Sequence, residues 1–150
     1  MRRRHAIAWI AAAVSLAAAS LAGAAANKES DAIWIIAATD ASSSTAQLKY
    51  GDSFKAGYTS RAKEPFGFAQ CWADDTTILG TPNQGTYSPG DPIWSSYRSL
   101  TGLTGDTWLL SDPIQHLWLG GGATCTLSLV TFTGNKQNVL ASTDFTVAAS

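Results

Sequence analysis

The sequence predicts an all-β domain, an antiparallel β-sandwich of about seven strands. Apolar residues recur at every second position through most of residues 27–150, and no window of about 11 residues keeps an apolar helical stripe. Segments rich in Gly, Pro, Asn and Asp separate these short alternating runs. Short alternating strands with turn signals between them, in one domain's length of chain, are typical of a sandwich.

The first half of the domain contains three predicted strands, at residues 32–39, 53–59 and 66–73. In the second of them Phe54, Ala56 and Tyr58 alternate with small or polar residues, the pattern of a half-buried strand. Residues 76–79 either extend the third strand or form a short neighbour.

The second half begins with a turn-rich connection at 81–91, whose prolines cannot lie in a central strand. Weaker strands are predicted at 93–100 and 107–111, with a glycine-containing turn between them at 101–106. Residues 123–132 give the clearest alternation. They lead through a predicted turn at 134–137 into a strand at 139–147, in which the odd-numbered residues share one face. These last two strands predict a hairpin.

Residues 1–26 are predicted to be a secretory signal peptide. Three arginines follow Met1, residues 6–21 are almost wholly apolar, and small residues at 22–26 offer cleavage sites. A membrane anchor is the alternative, because residues 6–26 approach the length of about 20 residues that spans a bilayer. The Ala-rich stretch and its small-residue end favour cleavage. We therefore expect a secreted, extracellular domain at 27–150 that has no membrane association once the leader is removed.

The charge of the secreted form is more acidic than that of the full chain. Removing residues 1–26 leaves 7 basic against 11 acidic residues, a net charge of −4 instead of −1. The domain has no run of Lys and Arg, which supply most of the affinity for phosphate backbones. The composition therefore excludes nucleic acid as the expected partner.

Cys71 and Cys125, the two cysteines of the chain, lie in the third and the penultimate predicted strands. In an exported chain we expect them to form a disulfide, the alternative being two buried free thiols. A zinc site would need more ligands than this pair and the single remaining histidine, His116, provide. We expect neither a metal nor a cofactor.

Candidate catalytic groups are few. His116 and Asp112 could form a triad with one of many serines, but no serine lies in a Gly-x-Ser-x-Gly elbow. A loop histidine is the simpler interpretation. Asp74 and Asp75 could ligate calcium, although adjacent carboxylates are more often a solvated turn. The sequence predicts that the protein is not an enzyme.

Three segments resemble the immunoglobulin-like domains of secreted bacterial proteins: FAQCW at 68–72, WLGGGATC at 118–125 and VLASTDFTV at 139–147. The resemblance implies an immunoglobulin-like β-sandwich. Antibody-type domains have a Tyr two residues before the second Cys, where this chain has Ala123, and a core Trp one strand after the first Cys, whereas Trp72 follows Cys71 directly. Such folds host many functions, so the resemblance implies little about activity.

Residues 27–150 are rich in tryptophan, with Trp34, Trp72, Trp94, Trp108 and Trp118. Trp72 and Trp118 lie beside the cysteines and are predicted to belong to the core, and apolar neighbours predict burial for Trp34 and Trp108. The exception is Trp94, which lies with Tyr87 and Tyr97 in the polar, turn-rich middle of the chain. These three are the candidate ligand-binding residues, because exposed aromatic rings can pack on sugars or anchor a protein.

The function predicted from these observations is that of a secreted, non-enzymatic immunoglobulin-like module. It would act through binding or structural association at the cell surface or outside the cell, with an unidentified protein or glycan as its partner. The first alternative is a carbohydrate-binding protein that uses Trp94, Tyr97 and Tyr87 as an aromatic platform. The second is a small secreted enzyme or enzyme inhibitor.

Overall fold

The computed structural model describes residues 30–37, 47–100 and 107–150, and these ranges contain strands and turns but no helix. The predicted signal peptide, residues 38–39 of the first predicted strand and the predicted turn at 101–106 lie outside them. The described strands are β1 (Ala32–Ala37), β2 (Leu48–Lys49), β3 (Ser53–Thr59), β4 (Phe66–Ala73), β5 (Trp94–Ser99), β6 (Trp108–Leu109), β7 (Ala123–Thr133) and β8 (Lys136–Ala148). None of these residues belongs to a helix long and apolar enough to cross a membrane.

The strands form two sheets, which is the arrangement of a β-sandwich. The three-stranded sheet has the order β1-β3-β6, and the five-stranded sheet has the order β2-β8-β7-β4-β5. The described pairs are antiparallel apart from β2 and β8, which run parallel. The predicted all-β class is therefore correct, and the order of the strands places β5 at an edge of the larger sheet.

Side chains from the two sheets meet in one apolar core. Phe54 of β3 stacks on Trp108 of β6, with ring centroids 5.3 Å apart, and contacts Phe145 of β8 edge-on at 5.4 Å. Phe54 and Trp108 are buried, as are Leu127 and Leu129 of β7. Burial of apolar surface at about 25 cal/mol per Å² is the main term that holds the two sheets together.

The expected disulfide is present between Cys71 of β4 and Cys125 of β7. The two residues are directly opposite each other in the antiparallel register, with their Cα atoms 4.0 Å apart, and both are fully buried. The bond thus links neighbouring strands of one sheet. In antibody domains the corresponding bond crosses between the sheets.

The C-terminal hairpin differs from its predicted form in two ways. Its turn is shorter, because β7 ends at Thr133 and β8 begins at Lys136. A register shift also occurs where Leu129 pairs with Ala141 while Val130 pairs with Val139. Leu140 is the extra residue, so the bulge lies in β8, and the side chains of β8 on the two sides of it follow opposite alternations. Val139 is therefore 59% exposed, and the shared face that the sequence predicts begins only at Ala141.

Candidate binding surfaces

The structure divides the three candidate ligand-binding residues between two surfaces. Trp94 is opposite Cys71 in the register and contacts the core residue Trp118 edge-on, with centroids 6.4 Å apart. Tyr97 is opposite Phe68 and stacks on it at 3.9 Å. Successive strand residues point to opposite sides of a sheet, so two residues three positions apart lie on opposite faces. Trp94, Tyr97 and Tyr87 consequently do not form one platform.

Tyr97 belongs to a cluster on the outer side of the five-stranded sheet, which we call the aromatic face: Phe66, Phe68, Tyr97 and Phe132. Phe132 contacts Phe66 edge-on at 5.6 Å and lies 6.1 Å from Tyr97. The Tyr97 hydroxyl donates a hydrogen bond of 2.8 Å to Oε1 of Gln137. Four rings from three strands thus form one connected surface.

The aromatic face is partly open to solvent. Tyr97 and Phe132 are each 46% exposed, and Phe66 and Phe68 are half-buried. A shallow hollow of about 430 Å³ adjoins it, lined by Lys63, Glu64 and Thr131 together with Phe66 and Phe132. Contiguous exposed apolar surface rimmed by polar groups is the usual mark of an interaction site.

Sequence reasoning missed three of these four rings, although a signal for each of them was present. The alternation of β4 places Phe66 and Phe68 on the side opposite Cys71. Because a disulfide-bonded cysteine in a sandwich strand faces the core, both phenylalanines have to face outward. The same argument applies to Phe132, which lies an odd number of positions after the disulfide-bonded Cys125 in β7, because the extra residue of the register shift is in β8 and leaves the alternation of β7 intact.

Trp94 and Tyr87 lie together in a second surface, a cleft of about 470 Å³ between residues 82–95 and 111–117. The buried side chains of Ile93 and Leu117 line its apolar part. Gln84, Asp91 and Gln115 are exposed polar residues of its lining. The volume falls within the range of about 300–1,000 Å³ that is common for small-molecule sites.

Hydrogen bonds hold the two walls of the cleft together. The backbone N–H of Asn83 donates to the carbonyl of Gln115 at 2.8 Å, and its side-chain Nδ2 donates to the carbonyl of Ile114 at 2.9 Å. The N–H of Gly80 donates to the carbonyl of Leu117 at 2.9 Å. The cleft therefore exists before any ligand arrives, which lowers the ordering cost of binding.

Asp112 stabilises the wall of the cleft formed by residues 111–117. Its buried carboxylate accepts hydrogen bonds from the backbone N–H groups of Gln115 at 2.9 Å, Leu117 at 2.7 Å and Trp118 at 3.1 Å. His116 is exposed in this turn and has a φ of 56°. The observed partners of Asp112 are thus backbone groups of its own turn, and the carboxylate acts as a cap for that turn.

Asp74 plays a similar local role between β4 and the glycine-rich segment before β7. Its Oδ1 accepts from the Thr76 backbone N–H at 3.0 Å and from the hydroxyls of Thr76 at 2.8 Å and Thr77 at 3.2 Å. Burial alone raises the pKa of Asp74, but these hydrogen bonds outweigh it and the pKa lies below its ordinary value. Across the three described ranges, no three His, Cys, Asp or Glu side chains gather in a group that could hold a metal ion.

The other tryptophans divide between core and surface. Trp108 and Trp118 are buried, as predicted. Trp72 differs from its prediction, because it follows Cys71 directly in β4 and therefore lies on the outer side of the sheet, where it is half-buried. Trp34 differs from its prediction, because it is 41% exposed and lies across Gly57 of the neighbouring strand. A glycine leaves room for a large ring to lie on the sheet surface, and a pattern within β1 cannot reveal that partner.

No family model, curated protein or solved structure matches the chain. What the described residues offer is two surfaces of different chemistry. The aromatic face is open and apolar, while the cleft combines aromatic with polar groups.

Proposed function

We propose that residues 27–150 form a secreted, non-enzymatic immunoglobulin-like module that binds a protein partner outside the cell through the aromatic face. The single observation that carries the proposal is this connected cluster of rings, two of them each 46% exposed, on the outer side of a sheet. Aromatic residues are enriched in protein interfaces and supply most of their binding energy.

The strand order supports the immunoglobulin-like part of the proposal. In a variable-type immunoglobulin sandwich, strand C′ extends the sheet that contains G, F and C, and strands A, B and E lie in the other sheet. Here β8-β7-β4-β5 follow in space the order G-F-C-C′, and β1-β3-β6 follow the order A-B-E. In this correspondence the disulfide joins strands C and F, whereas antibody domains join B and F.

Two features support secretion. The N-terminal sequence has the composition of a signal peptide. The disulfide between Cys71 and Cys125 suits an oxidising compartment, since cytosolic thiols are kept reduced.

The character of the aromatic face favours a protein over a small ligand. It lies on the side of a sheet, where an extended surface of a partner can cover it, and it is bordered by the charged residues Lys63 and Glu64. An apolar centre with a polar rim is the anatomy of a protein interface.

A cell-binding assay tests the proposal. Labelled protein comprising residues 27–150 is incubated with intact cells of the organism that secretes it, with and without prior protease treatment of the cells. We expect retention on untreated cells and its loss after protease. Tyr97→Ser should weaken retention by about 30-fold, the equivalent of a 2 kcal/mol hot spot.

Ile78→Ser is the matched control, because Ile78 is an exposed apolar residue outside both surfaces. It should leave retention unchanged. Retention that survives Tyr97→Ser, or that resists protease, would contradict the proposal, as would the absence of any retention of the unaltered protein.

A further inference from the structure

The cleft has an apolar wall made by two aromatic side chains. Tyr87 and Trp94 are both half-buried and pack against the core while lining the cleft. The C–H groups of a pyranose ring present an apolar face, which packs on aromatic rings of this kind.

The rest of the lining supplies hydrogen-bonding groups that complement hydroxyls. Gln84 and Gln115 are exposed members of the lining, and each amide both donates and accepts. A sugar hydroxyl also does both, so it can be satisfied by such a group in either direction. In small-molecule sites, a small number of polar groups beside an apolar wall fix the orientation of the ligand.

The charges that line the cleft favour a neutral sugar over an acidic one. The described residues that line the cleft include Asp91 and Asp112 but no Lys, Arg or His. An acidic sugar would bring a carboxylate or sulfate next to these aspartates with no cation to neutralise it. The net charge of −4 on residues 27–150 also disfavours the binding of an acidic sugar.

We propose that this cleft is a second binding site, separate from the aromatic face, and that it takes a neutral pyranose oligosaccharide. Trp94 and Tyr87 provide the packing surface, and Gln84 and Gln115 bind hydroxyls. Since the sheet separates Trp94 from Tyr97, the site works independently of the proposed protein interface.

Nuclear magnetic resonance of ¹⁵N-labelled protein tests the site. Residues 27–150 contain five tryptophans, so the indole N–H region holds five cross-peaks, and Trp94→Phe identifies the one that belongs to Trp94. Cellotriose, chitotriose and maltotriose are titrated separately at millimolar concentrations. We expect a saturable shift of the Trp94 peak with at least one of them, and none with trigalacturonic acid.

Two variants on the rim keep the test independent of folding. Gln84→Ala and Gln115→Ala each remove an exposed amide, and we expect each to weaken binding by about 2- to 12-fold, the equivalent of one hydrogen bond. Tyr97→Ser, on the opposite face of β5, should leave the titration unchanged. The proposal is overturned if no neutral trisaccharide shifts the Trp94 peak, if the acidic one binds equally well, or if both rim variants bind like the unaltered protein.

Discussion

Reduction of the Cys71–Cys125 disulfide should lower the free energy of unfolding by about 4 kcal/mol while leaving the native fold in place. The bond closes a loop with a sequence separation of 54 residues. Loop-closure entropy for that length is about 14 cal/mol/K, which corresponds to about 4 kcal/mol at 25 °C. The effect acts through the unfolded chain, which gains conformational freedom when the crosslink is removed.

We expect the folded state to survive reduction of the disulfide. Cys71 and Cys125 are held opposite each other by the hydrogen-bond ladder of β4 and β7, which runs from Phe66↔Val130 to Ala73↔Ala123. Both sulfur atoms are buried in the core and stay there as thiols, which pack as small apolar groups. The register of these strands should therefore be the same in both redox states.

Urea unfolding followed by tryptophan fluorescence measures the difference, with mass spectrometry to count thiol hydrogens in each sample. For an m value of about 1.5 kcal/mol/M, the midpoint should fall by about 2 to 3 M on reduction. A loss below about 1 kcal/mol would refute the entropic reasoning, because it would mean that the reduced unfolded chain keeps the loop nearly closed. Two titratable thiols in the native protein would refute the bond itself.

Three further perturbations test local features of the structure. Gly134→Ala and Gly121→Ala both place a side chain at positive φ, but only at Gly121 would the new Cβ meet a neighbouring backbone. Thermal unfolding should show a loss of about 1 kcal/mol at Gly134 and about 2 kcal/mol more at Gly121, and equal losses would contradict the contact. Asp112→Asn should cost about 2 kcal/mol in urea unfolding because the buried cap loses charge-assisted hydrogen bonds, whereas the exposed Asp91→Asn should cost under about 0.5 kcal/mol. The pKa of Asp74 is lower in the folded protein, so its stabilising effect is present above its ordinary value of 3.8 and is lost as the pH falls through the lower folded pKa. Asp74→Asn should therefore destabilise the protein at neutral pH and lose that effect in strong acid, and a pH-independent difference would count against the shift.

Alternation of apolar and polar residues was sufficient to predict the central strands. The predicted bounds 53–59 and 66–73 coincide with β3 and β4, and 123–132 falls one residue short of β7. These strands have one face in the core and are bounded by turn residues, so each carries its own signal. β2 has no such signal, because its two residues are defined by pairing with β8, about 100 positions further along the chain.

The candidate surfaces could be predicted only in part, and the reason is geometric. The odd separation between Trp94 and Tyr97 already implies opposite faces if β5 is a regular strand. Tyr87 is different, because its place beside Trp94 depends on the path of a long loop. Hydrogen bonds from Gly80 and Asn83 to residues 114–117 fix that path. Hydrophobic periodicity and composition predict a strand well, but they contain no information about where a loop of this length packs against the sheets.

One edge strand can serve two surfaces because its side chains alternate. The backbone of β5 separates the ring of Trp94, which reaches the core and the cleft, from the ring of Tyr97, which stacks on Phe68 outside. A substitution at either position leaves the contacts of the other in place. Effects of changes at two sites without shared partners add, whereas those of residues in contact do not. Combining a cleft variant with Tyr97→Ser should therefore give the sum of the two single effects on stability, as two surfaces held apart by one sheet require.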